Sequence, residues 1–134
     1  DGLPVTKPPY GRVTALDLTH GTTAWMVPVG EGPRNHPHLV SLNLPPLGGD
    51  STYSGPLATK MLLLYPLTTG GTTGGPRLVA VDKATGKELA SADLPGIAIG
   101  SPMTYLSGNR QFIALTVQGG TPRDMPELVA LALP

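Results

Sequence analysis

The chain has no cysteine, so it carries no disulfide framework, no thiolate nucleophile and no cysteine-held zinc or iron–sulfur centre. Aromatic residues are scarce, 4% of 134 positions, with a single Trp and a single Phe. Charge is thin as well: nine Lys and Arg balance nine Asp and Glu. A neutral surface offers no field to hold nucleic acid or an anionic membrane, and both drop out as expected partners. The longest apolar run, Met61 to Tyr65, falls far short of a membrane span. No signal-peptide pattern is visible.

What the chain has in quantity is chain-breakers: 18 Gly and 16 Pro, about a quarter of all residues, beside a 40% hydrophobic fraction. Enough apolar material is present to bury a core, which argues against disorder. Frequent breakers among apolar residues fit many short strands joined by turns and exclude a helical bundle. The sequence opens at Asp1 without an initiator Met, which leads us to expect an N-terminus that has been processed, trimmed or cut from something longer.

Internal similarity organises these strands. Arg12-Val-Thr-Ala-Leu-Asp-Leu-Thr-His-Gly21 aligns with Arg77-Leu-Val-Ala-Val-Asp-Lys-Ala-Thr-Gly86 at an offset of 65, and Glu127-Leu-Val-Ala-Leu-Ala132 is a partial third copy. Each complete copy reads as a strand closed by Asp and then Gly, followed by a second strand. This is hairpin chemistry, because Asp accepts backbone N–H bonds and Gly supplies positive φ. A second unit repeats in front of the hairpin: Ser54-Gly-Pro-Leu-Ala-Thr59 resembles Gly100-Ser-Pro-Met-Thr-Tyr105, each followed by an apolar run. Laid end to end, the units predict an all-β fold of repeated four-stranded antiparallel sheets, a partial β-propeller of about two to three blades. The expected organisation is a half blade over 12–27, a long loop over 28–53, a full blade over 54–92 and an incomplete last blade over 100–134. The loop is rich in Pro and Gly, and a stretch of that length without obvious secondary structure is either functional or a surface connection.

Other motifs are weaker. Gly70-Gly-Thr-Thr-Gly-Gly-Pro-Arg77 resembles a phosphate loop only in its glycines; it lacks the Lys and Ser/Thr, and a strand follows where a helix N-terminus is needed. Gly30-Glu-Gly32 lacks the third Gly of a dinucleotide fingerprint. His36-Pro-His38 brings two imidazoles together without further ligands nearby, so no metal site is assigned. No Gly-x-Ser-x-Gly elbow and no Ser-x-x-Lys pair occurs, which disfavours a self-contained hydrolase.

The pattern Ala15-x-Asp17-x-x-x-Gly21-x-x-x-Trp25 resembles the tryptophan-docking motif of the quinoprotein dehydrogenases, eight-bladed propeller enzymes that use pyrroloquinoline quinone (PQQ). Further segments are similar to the C-terminal part of their glucose dehydrogenase-like branch and come in the family's order: Pro8 to Asp17, Val27 to Gly32, Ser54 to Thr59, Asp82 to Lys87, Ser101 to Tyr105 and Leu131 to Pro134. The second copy departs from the motif, with Ala90 where Trp is expected. The resemblance implies a parent enzyme with PQQ and Ca, whose general-base Asp and metal ligands lie in blades preceding this region; no catalytic or metal residue is carried over. Tyr53 and Ser54 fall where the family places residues near the quinone ring. Thr121 stands where many members carry a His near the substrate. These three are the expected cofactor-channel contacts.

Two readings follow. In the first, the chain is the C-terminal part of a periplasmic PQQ-dependent sugar or alcohol dehydrogenase, supplying blades and channel wall without being catalytic alone. In the second, it is a self-standing propeller-like binding or scaffolding module completed by oligomerisation. The expected partners are accordingly the remaining propeller blades, or copies of itself meeting through strand edges.

Overall fold

The computed structural model describes residues 2–50, 54–119 and 125–132. Among the described residues nine strands and two short 3-10 turns make up the regular structure. Contacts divide the chain into two units, Asp1–Ser51 with Ala84–Gly86, and Thr52–Lys83 with Lys87–Pro134.

In the first unit, β1 (Arg12–Asp17) pairs antiparallel with β2 (Thr22–Pro28). The turn between them forms as its residues dictate. Asp17 Oδ1 accepts the Thr19 N–H at 2.8 Å, and Gly21 closes the turn at φ 67 with its N–H on Asp17 O. His20 Nδ1 lies 2.6 Å from Asp17 Oδ2, and this contact together with the Thr19 and His20 N–H groups holds the Asp17 carboxyl below its ordinary range.

The second unit holds two sheets. β3 (Leu57–Ala58), β4 (Leu62–Leu67), β5 (Arg77–Asp82) and β6 (Glu88–Asp93) form a four-stranded sheet in sequence order, all antiparallel. β7 (Ile97–Ser107), β8 (Arg110–Gln118) and β9 (Glu127–Ala132) form a three-stranded sheet, also in order. Side chains alternate between faces along each strand, so every second residue points to a common side. Leu64 and Leu78 of one sheet meet Ala98, Ile113, Leu115 and Val117 of the other in a shared core that also takes in Leu94. Full burial stabilises each of the larger of these side chains by about 1.5–3 kcal/mol. The two sheets are therefore stacked face to face, the arrangement expected of neighbouring propeller blades.

The aligned hairpins share more than residues. The β1–β2 ladder slips between Ala15 and Leu16, and the β5–β6 ladder slips between Ala80 and Val81, at the same offset of 65. The second turn also closes on a left-handed glycine, Gly86 at φ 73, with Asp82 N–H on Lys87 O. Trp25 lies against that glycine: a Cβ placed on Gly86 would stand 2.6 Å from Trp25 Cε3. The ring thus rests flat on the turn of the second hairpin, where any side chain would displace it.

The Pro- and Gly-rich loop after β2 holds no strand over residues 29–50, but it is closed on itself. Its two arms pair through Asp50 N–H to Val29 O, Gly48 N–H to Gly30 O and Leu47 N–H to Glu31 O, while Tyr10 N–H bonds Leu47 O from the other side. Gly32–Asn35 and Val40–Leu42 form 3-10 turns between the arms. Arg34 is tied down by an ion pair to Glu31 and by a bond from its Nη1 to Leu44 O. Leu47 is buried at the neck. Local Pro and Gly content hid this closure because it is made by backbone groups far apart in sequence.

Candidate functional site

Ser54 lies just before β3, and its hydroxyl donates to Gly100 O at 2.5 Å. Gly100 has φ 81 and opens a break in the β7–β8 register between Ile99 and Met103. A bulge there bends β7 and re-aims the side chains of residues 100–102. Gly55 completes the junction, since a Cβ at this position would stand 3.0 Å from Ser101 Oγ. The Ser-Gly-Pro segment and its Gly-Ser-Pro counterpart, similar in sequence, are thus held side by side at the start of β3 and the bend of β7. Ser54 acts here as a clamp, its one hydroxyl proton committed to a backbone carbonyl. Tyr53 and Thr121, the other two expected channel contacts, lie outside the described residues. Sequence reasoning missed Gly100 as the partner of Ser54 and Ser101 as the neighbour of Gly55, although the repeat alignment of the two segments carried the signal.

The glycine loop ahead of β5 is engaged internally. Gly71 N–H bonds Gly75 O, Gly74 N–H bonds Gly71 O, and the Thr72 N–H and hydroxyl both donate to the Asp93 carboxylate. Backbone donors committed in this way cannot cradle a phosphate. The Thr72 hydroxyl, then its N–H, hold the Asp93 carboxyl below its ordinary range. A depressed folded-state value means that this clasp is fully present above the unfolded carboxylate range and is lost as pH falls through the folded one. We expect acid to release the loop: exchange of the Thr72 amide, corrected for intrinsic rate, rises as Asp93 protonates, and Asp93→Asn removes that pH dependence. An exchange profile identical in the two proteins would refute the clasp.

His36 and His38 have ring centroids 5.2 Å apart, but His38 N–H donates to His36 Nδ1 at 3.2 Å. That bond places the neutral ring's proton on Nε2, so neither His36 nitrogen presents a free lone pair to a metal. Among the described residues no group of three His, Asp or Glu side chains is gathered for a metal ion. A calcium site needs six to eight oxygens, typically from several carboxylates. The described residues do not fit that ion.

With this geometry in place, comparison with known proteins is decisive on one point. The family model described as PQQ: glucose/ethanol/alcohol dehydrogenase, beta-propeller domain, matches residues 1–113. The chain belongs to this family. Among relatives of this PQQ propeller domain, a probable quinate dehydrogenase (quinone) from Xanthomonas campestris pv. juglandis is 34% identical over 99% of the chain. The glycerol dehydrogenase large subunit of Gluconobacter thailandicus is likewise 34% identical over 99% of it. The chain spans only 17% and 18% of the length of these two proteins. The crystal structure of a quinohemoprotein alcohol dehydrogenase from Comamonas testosteroni shares the fold, with a TM-score of 0.55 and 22% identity over 90% of this chain and 16% of that one. The all-β stack of antiparallel sheets is consistent with part of a PQQ propeller.

Proposed function

We propose that this PQQ-family propeller segment serves as the C-terminal part of a periplasmic PQQ- and Ca-dependent sugar or alcohol dehydrogenase. It supplies blades and part of the channel wall while other blades carry the chemistry. The observation that carries the reading is the lopsided coverage: the match extends over 99% of this chain and 17% of the quinate dehydrogenase relative. The segment's own contribution is positional: Ser54 clamps the bend at Gly100, and Tyr53, Ser54 and Thr121 are its channel contacts by resemblance to the family.

Two measurements test this together. The isolated chain should show neither tight PQQ binding nor dye-linked dehydrogenase turnover with added PQQ and Ca²⁺. A chimera in which it replaces the matching stretch of the glycerol dehydrogenase large subunit should retain bound PQQ, seen in its absorption spectrum. Turnover by the isolated chain, or a folded chimera without PQQ, would sink the proposal.

A further inference from the structure

Beside the turn that joins β3 to β4, a cavity of about 280 Å³ opens between the two sheets of the second unit. Lys60, Met61 and Leu64 line it from one sheet, and Gln111 and Ile113 of β8 line it from the other. Both walls lie inside the chain and within one unit, so neither end of the sequence takes part in forming it. The floor is apolar: Leu64 and Ile113 are buried and belong to the shared core. The rim is polar and fixed. The Thr59 N–H and hydroxyl both donate to Leu62 O, and the Leu62 N–H returns to Thr59 Oγ1. Lys83 fastens the same turn, with its Nζ on Thr59 O and its N–H on Met61 O. Across the cavity, Gln111 Nε2 donates to Thr104 Oγ1, whose own proton goes to Phe112 O. What remains to meet a ligand is the ammonium of the exposed Lys60, with the second Nε2–H and the Oε1 of Gln111. None of the lining residues is acidic, and among the described residues no carboxylate pairs with Lys60.

We infer that this cavity binds a small monocarboxylate with a compact apolar body. The inference goes beyond the proposed function and needs no quinone. Charge complementarity selects the head group: Lys60 brings one uncompensated positive charge to the mouth, and Gln111 adds a neutral N–H donor for the second carboxylate oxygen. The floor selects the body, because apolar surface laid on Leu64 and Ile113 leaves water. Met61 overhangs the opening with an unbranched, adaptable side chain that can close on either a ring or a short branched chain. Size sets the limit. Ordinary ligand pockets run to about 300–1,000 Å³, and a volume at the bottom of that range suits a single ring and not a lipid or a peptide. A ligand held there touches β4 on one side and β8 on the other, so binding also fastens the two sheets together.

Benzoate is the probe, with benzamide as its neutral isostere. Titrated into isotope-labelled protein, benzoate should shift the amides of residues 60–62 and 111–113 saturably. It should also raise the melting temperature with concentration, since a ligand of the folded state stabilises it by mass action. Benzamide should bind about tenfold more weakly, the margin of a charge-assisted hydrogen bond over a neutral one. Lys60→Met keeps an apolar stem at an exposed position, and should bring benzoate down to the affinity of benzamide while leaving benzamide unchanged. Lys60→Arg should restore the preference for the anion. Shifts that fail to saturate or that centre elsewhere would overturn the inference. So would equal affinity for the two probes, or a benzoate affinity indifferent to Lys60→Met.

Discussion

Gly86→Ala is expected to destabilise the protein by about 2–5 kcal/mol, combining a left-handed backbone penalty of about 1–2 kcal/mol with an overpacking cost of about 1–3 kcal/mol. The first follows from φ 73 and the second from the Trp25 ring, which a methyl group would meet at 2.6 Å. Gly21 provides the control. It occupies the equivalent place in the first hairpin, with φ 67 and nothing within 4 Å of a Cβ. Gly21→Ala should therefore carry only the backbone penalty, and the difference between the two variants isolates the tryptophan contact. Because Trp25 is the one tryptophan, its fluorescence reports both the urea midpoint and the displacement of the ring. Equal destabilisation by the two variants, with unchanged emission, would show that the ring yields without cost.

Gly48→Ala should have an effect of similar size through a different route. A Cβ on Gly48 would stand 2.1 Å from Gly11 O and 2.9 Å from Gly11 N, at φ 71. Both obstacles are backbone, so no side-chain rotation relieves them. The neck of the loop must open, and the Tyr10-to-Leu47 and Val29-to-Gly11 hydrogen bonds open with it. Strain of about 1–3 kcal/mol and the loss of two bonds with a net value of about 0.5–1.5 kcal/mol each give an expected loss of about 2–6 kcal/mol. Limited proteolysis should then cut between residues 28 and 50 in the variant well before the wild type, and the Tyr10 and Val29 amides should lose exchange protection. Protection equal to the wild type would contradict the close approach of Gly48 to Gly11.

The strands were legible because each copy of the hairpin declares itself locally: an apolar and β-branched run, an Asp that accepts turn amides, and a Gly at positive φ. Asp17 and Gly21 behave as that chemistry requires. β7 was less legible. It begins at Ile97, ahead of the Ser-Pro segment taken as its start, because the bulge at Gly100–Pro102 sits inside the strand and reads as a turn. The neck of the long loop was illegible for a deeper reason. Backbone pairing between residues 29–31 and 47–50 leaves no side-chain pattern, only glycines whose role appears once the two segments are seen to cross. At the candidate site the sequence singled out Ser54 but not its partner Gly100, since a hydroxyl's choice of a carbonyl 46 residues away is fixed by the stacking of two sheets. The Thr72–Asp93 clasp and the Arg77–Glu88 ion pair are of the same kind, long in sequence and short in space.

The closed neck also bears on how such a chain can change. Because Val29 and Asp50 are hydrogen-bonded to each other, the twenty residues between them leave the scaffold and return to it at a single point. Lengthening a loop whose ends are already joined costs only about 0.6 kcal/mol for each doubling. The segment from Pro33 to Pro46, inside the paired neck, is thus a cassette, open to replacement or growth without moving a strand.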